Sequence, residues 1–178
     1  DAPKDRDFVL VIEGTFVERT HHGDPVSKVA FEYVTPKKLS TTTVVALPVA
    51  KTDNEIFVGL ELRDLPAVQV FTGSSAIWTA PAWRVPRQIN NLSQLPLFIS
   101  EAMKRDFSVQ VLKTWELGGP YFCSPGVTPE VVHPFVAEID AKEISSSELR
   151  FVGVKDLRSA LSSIRDAHLL IASYRFLH

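Results

Sequence analysis

The residues best placed for chemistry lie in one short phrase, Ser100-Glu101-Ala102-Met103-Lys104-Arg105-Asp106-Phe107. Residues three and four apart share a helix face, so a helix here groups Glu101, Lys104 and Arg105. Carboxylates at that spacing hold hard divalent cations through oxygen; cations there repel a metal and favour an anion. Arg84 and Arg87 make the preceding stretch basic, and no Asp or Glu occurs from Ala82 through Ser100. A nucleotide diphosphate could be held in such a stretch by charge-assisted hydrogen bonds, with Trp78, Trp83, Tyr121 or Phe122 stacking on its base. The plainer reading of the same residues is a solvated charged face and core or interface aromatics. His21-His22 makes a poor metal pair, because tandem residues in a strand point to opposite faces. Cys123, the only cysteine, has no His or Lys beside it in sequence to activate it and reads as a small packed side chain.

The whole chain sets bounds on these readings. Its 178 residues fit one domain with a sizeable core, and 45% are hydrophobic. Nineteen basic against 21 acidic residues give a net charge of -2 and a pI near 6.2, so nothing pulls the chain as a whole toward nucleic acid or an anionic membrane. A single cysteine forbids an internal disulfide and favours a reducing compartment; with no targeting or spanning segment legible, a cytoplasmic location is expected. The chain begins at Asp1, which suits a processed form, a trimmed form or one domain of a longer polypeptide.

Elements that would position the charged phrase follow from patterning. Phe8 to Val17 and Val26 to Val34 alternate around turn residues His21 to Pro25, predicting a hairpin. Thr41 to Ala50 is a β-branched run that suits a central strand buried on both faces, and Glu55 to Leu62 returns beside it. Pro81 and Pro86 bracket an irregular extended passage at Ala82 to Val85. A helix is expected from an N-cap at Ser93, with Leu95, Phe98, Ile99, Ala102 and Met103 inward. Strands are expected at Val109 to Trp115, Val131 to Ile139 and about Leu149 to Val154, then a turn of helix from Asp156. A final helix from about Ser163 to Leu177 would turn Ala167, Leu170, Ile171 and Tyr174 inward.

This order, with several phrases in it, resembles the ADP-ribose and ADP-sugar pyrophosphatase branch of the Nudix superfamily across roughly Val29 to Leu177. Ile56 to Arg63 takes the place of a strand ending in an arginine, so that the resemblance makes Arg63 a ligand candidate. Trp78-Thr79-Ala80-Pro81-Ala82-Trp83 is similar to the family's Trp-Glu-Leu-Pro-Ala-Gly, with Trp83 where glycine is expected. Tyr121 to Glu130 looks like its Ser-Pro-Gly loop, in which Pro125 marks ADP-ribose-type substrates. Ile164 to Leu170 resembles the last helix. The implied fold is an α/β/α sandwich with a mixed, curved sheet, residues 39–178 forming the core and residues 1–38 a hairpin that serves a homodimer or docks on a neighbouring domain.

The family's catalytic helix carries Arg-Glu, one aliphatic, one free residue, Glu-Glu, one free residue and Gly, and its glutamates hold the divalent metals that activate water. In this chain Glu101 matches the first glutamate, Lys104 and Arg105 stand at the Glu-Glu pair, and Phe107 replaces glycine. A second register, with Arg105-Asp106 on Arg-Glu, puts Val109-Gln110 at those positions. Each such cation repels a metal ion about 4 Å away by about 1–4 kcal/mol per unit of the metal's charge.

The expectation is therefore a non-catalytic Nudix-like domain, with no resident cofactor or metal, that binds a nucleotide-like ligand or a protein partner. Arg63, Arg84, Lys104, Arg105, Pro125 and Glu130 are the candidate ligand contacts. An alternative is an active ADP-ribose or ADP-sugar diphosphatase using Mg²⁺ or Mn²⁺, with Glu101 as metal ligand and Glu130 as base or further ligand. A third is a structural oligomerisation domain.

Overall fold

The computed structural model describes residues 9–19, 25–36, 39–65, 68–70, 73–124 and 128–178, with the backbone alone up to residue 39. The turn expected at His21 to Asp24 and the loop residue Pro125 lie outside these.

The first two strands, β1 (Val9–Arg19) and β2 (Pro25–Pro36), pair antiparallel as a separate two-stranded sheet. The remaining eight strands form one mixed sheet. Its centre is β3 (Leu39–Lys51), with β4 (Ile56–Asp64) returning antiparallel beside its last residues. The short β5 (Ala76–Thr79) extends the β4 edge, and β6 (Ala82–Pro86) pairs with the first half of β3. The expected irregular passage at Ala82 to Val85 is thus a strand, because Pro86 closes it without interrupting a ladder bond. After the helix α1 (Leu95–Phe107) come β7 (Val111–Glu116), the two-residue β8 (Tyr121–Phe122) and β9 (Val131–Ile139). β9 runs parallel to β3 along nine consecutive pairs, from Thr42 with Val131 to Ala50 with Ile139. A last strand, β10 (Arg150–Gly153), flanks β4 and leads into α2 (Val154–Ala160) and α3 (Ala167–Leu177).

Two prolines inside central strands show how one sheet carries so many partners. Proline cannot donate to a ladder. Pro48 falls where the edge of β3 passes from β6, which ends its pairing at Val45, to β4, which begins at Val49. Pro134 falls where β9 changes from β8 at Val132 to β7 at Phe135. Gly59 on β4 leaves room for this arrangement, since a Cβ there would stand 3.0 Å from Pro48 Cβ and 3.1 Å from the Phe151 ring.

Alternation along β3 divides the core in two. Val44, Ala46 and Ala50 pack with Leu95, Ile99, Met103 and Phe107 of α1. Val45, Leu47 and Val49 pack with Leu157 of α2 and with Leu169 and Ala172 of α3. Helices therefore cover both faces of the sheet, which makes this an α/β protein.

The α1 stripe follows the expected phase, except that Phe98 is only half-buried and Phe107 joins the core. Its entry differs: Asn91, not Ser93, supplies the cap, accepting from the Ser93 N–H at 3.0 Å to open a 3-10 turn that runs into the helix. The α3 stripe is displaced by one position from the expected one. The chain makes a 3-10 turn at Leu161–Ser163, and Asp166 caps the helix by accepting from Leu169 N–H at 2.7 Å. Leu169, Ala172 and Ser173 then face inward, where small side chains allow close approach to the sheet, while Ala167, Leu170 and Tyr174 are exposed. Among the described residues no helix is long and apolar enough to cross a membrane.

Candidate functional site

Three strands bring Glu130 its partners. It stands just before β9, whose first residues pair with Thr42 and Thr43, while Arg84 on β6 faces Thr43 across the other edge of β3. The Thr43 hydroxyl donates to Glu130 Oε1, Arg84 Nη2 lies 3.0 Å from Glu130 Oε2, and Arg84 Nη1 donates to the Ser40 carbonyl at 3.5 Å. Thr43 is buried, and the Arg84 and Glu130 side chains are 27% and 16% exposed. That burial makes the pair more consequential than a solvated surface bridge. An anion entering here must displace Glu130 from Arg84.

Trp83, next to Arg84 on the strand, points to the other face, where α1 ends. Its indole N–H donates to Asp106 Oδ2 at 2.7 Å, and its ring meets Phe107 edge-on at 6.1 Å between centroids. Arg105 donates to both Asp106 oxygens at 2.6 Å. This hydrogen bond, supported by Trp83, holds the Asp106 carboxyl below its usual range and raises Arg105 in turn. The charge of Arg105 is thus engaged within its own helix turn. Glu101 and Lys104 are exposed on α1.

Arg63 pairs with Glu61 at 3.5 Å on β4. Burial pushes the Glu61 carboxyl up; Arg63 opposes this, and the negative charges of Asp106 and Asp166 add to it. Of the residues singled out from sequence, the structure joins Arg84 to Glu130, while Arg63 and Arg105 each have another acid and Glu101 and Lys104 lie on the helix surface.

Sequence reasoning missed a further group. Tyr121 Oη lies 2.8 Å from His168 Nδ1, and Cys123 Sγ lies 3.6 Å from the same nitrogen. Forty-five residues separate Cys123 from His168, so no local spacing could reveal the contact. Burial, then the nearby Cys123, Asp166 and Glu130, push the Tyr121 phenol up, so it keeps its proton in this contact. Cys123 is exposed rather than packed; partial desolvation of its thiol, then the charges of Glu130 and Asp166, push it up, which leaves it protonated rather than an activated nucleophile. Arg175 sits 5.5 Å over the Tyr121 ring and donates to the Leu117 and Gly119 carbonyls, fastening this loop to α3.

The Asp106 arrangement has a measurable consequence. Its pKa is lowered on folding, so its contribution is present above the unfolded carboxylate value near 3.9 and is lost as pH falls through the lower folded value. Trp83 fluorescence should therefore titrate with a midpoint below the ordinary aspartate range. In Asp106→Asn that step should vanish, and the acid loss of stability should be shallower. A midpoint at or above the ordinary range would show that the Arg105 contact is absent in solution.

Among the described residues no three His, Cys, Asp or Glu side chains converge to hold a metal ion. Neither protein-family models nor curated proteins yield a match to this chain.

Proposed function

We propose that the chain is a Nudix-like domain with a degenerate catalytic box, which binds a nucleotide-like ligand without hydrolysing it. One observation carries this reading: where the resemblance expects a pair of metal-binding glutamates, α1 exposes Lys104 and commits Arg105 to Asp106. The mixed sheet, with its parallel β3–β9 pair between helical layers, supports the fold that the resemblance implies. Without clustered carboxylates, a divalent ion has little to hold it against the nearby positive charge. The phosphates of a nucleotide would instead meet Lys104 on the α1 side, whereas Arg84 lies on the opposite face of the sheet and is held there by Glu130. The separate β1–β2 hairpin belongs to the same reading as a docking element for a second copy or a neighbouring domain, because an isolated two-stranded sheet is marginal in water.

Two measurements test the proposal. ADP-ribose incubated with Mg²⁺ or Mn²⁺ should release no AMP; turnover abolished by Glu101→Gln would refute the non-catalytic assignment. Across a nucleotide panel, at least one compound at a hundredfold its Kd should stabilise the fold by about 2.7 kcal/mol, a rise of roughly 5–10 °C in Tm. Lys104→Glu should reduce that rise, and a flat panel would refute ligand binding.

A second reading, a metal-dependent diphosphatase with unusual ligands, is favoured by Glu61. Its proton affinity is raised by burial and by Asp106, a setting that tunes a carboxylate toward general-base work. AMP release that survives Glu101→Gln but fails in Glu61→Gln would support this reading over the first.

A further inference from the structure

The sheet face opposite α1 carries a cleft of about 450 Å³ that lies apart from Glu130, Asp106 and His168. Leu60 and Val152 line it from the sheet, Trp78 from the edge strand β5, and Leu157 and Leu169 from the two C-terminal helices. Leu60, Leu157 and Leu169 are buried, whereas Trp78 remains 37% exposed on a strand of only four residues. Small-molecule pockets span about 300–1,000 Å³ and combine an apolar lining with a few polar groups.

Charge sets the kind of occupant. Arg150 pairs with Leu60 across β10 and β4, which puts its side chain on the cleft face, and its guanidinium lies 5.5 Å from the centre of the Trp78 ring. Arg165 lines the cleft as well, and Asp156 is the one acid among the lining residues. Two guanidinium groups beside an indole and an aliphatic pocket suit a flat ring that carries a negative charge. We propose that this cleft binds a small planar aromatic anion, its ring against Trp78 and the leucines and its acid group toward Arg150 and Arg165. The site is independent of α1, so its occupant need not be a nucleotide.

Two fluorescent probes with nearly the same rings separate the contributions: the anionic 8-anilinonaphthalene-1-sulfonate and the neutral N-phenyl-1-naphthylamine. The sulfonate should bind the folded chain saturably, one to one, at a Kd of about 10 µM. Ala160 lines the cleft from the exposed side of α2, so Ala160→Phe should fill it and weaken the sulfonate roughly tenfold or more. Arg165→Ala and Arg150→Ala, at exposed positions that should tolerate the change, should each weaken the sulfonate about three- to tenfold and leave the neutral probe unchanged. Equal losses for both probes, sulfonate affinity indifferent to all three substitutions, or no saturable binding would overturn the proposal. The arginine variants keep it testable should Ala160→Phe fold poorly.

Discussion

Glu130→Ala is expected to destabilise the fold by about 2–3 kcal/mol, lowering Tm by roughly 5–10 °C. The substitution removes the acceptor of the buried Thr43 hydroxyl and the counter-charge of Arg84 together. It leaves a mostly buried guanidinium with only the Ser40 carbonyl at 3.5 Å, and an unpaired charge costs more than the pair itself contributes. Arg84→Ala should cost a comparable amount for the reciprocal reason. The double variant should cost less than the two singles added, with a coupling of about 1–2 kcal/mol, because each single change already breaks the shared bridge. Glu130→Gln keeps an acceptor for Thr43 and should fall between wild type and alanine. Chemical denaturation of the four variants beside wild type reads this out; a loss below about 0.5 kcal/mol for Glu130→Ala would mean the acid is simply solvated.

Ile99→Ala should cost about 3–4 kcal/mol, seen as a lower denaturant midpoint at unchanged slope. Ile99 is completely buried on the side of α1 that meets Val44, Ala46 and Phe135 of the sheet. Truncating it removes favourable burial and leaves a cavity that the strand backbones cannot move to fill. Glu101→Ala, two residues along the same helix but exposed, should change stability by less than about 0.5 kcal/mol. The contrast tests whether α1 turns its charged face to water. Similar losses at the two positions would mean Glu101 has structural contacts and would reopen its candidacy as a ligand.

The parts of this fold legible in the sequence are those where one physical pattern dominates. The β-branched run at Thr41 to Ala50 marks the central strand, and the spacing of Leu95, Ile99, Ala102 and Met103 fixes the phase of α1. The phase of α3 was harder to read, because Leu169, Leu170, Ile171 and Tyr174 offer apolar residues on several sides; the Asp166 cap and small Ala172 and Ser173 decide which side meets the sheet. For the site, charge type along the chain drew attention to Arg84, Lys104, Arg105 and Glu130. The sequence could not show which of them meet. Thr43 and Glu130 lie 87 residues apart and Tyr121 and His168 lie 47 apart, so each contact exists only once strand pairing or helix docking has occurred.

The parallel pairing of β3 with β9 also governs how the molecule can be built. Residues that end the first of these strands must wait for residues made about ninety positions later before their inner ladder can close. At synthesis rates of about 5–20 residues per second that delay is roughly 4–18 s. Throughout it the central strand, buried from Thr43 to Ala50, lacks its principal neighbour. Such long-range closure slows folding and leaves an unpaired edge open to wrong partners. A nascent chain stalled after α1 should therefore be protease-sensitive and prone to aggregate, and protection should arise abruptly once β9 has emerged.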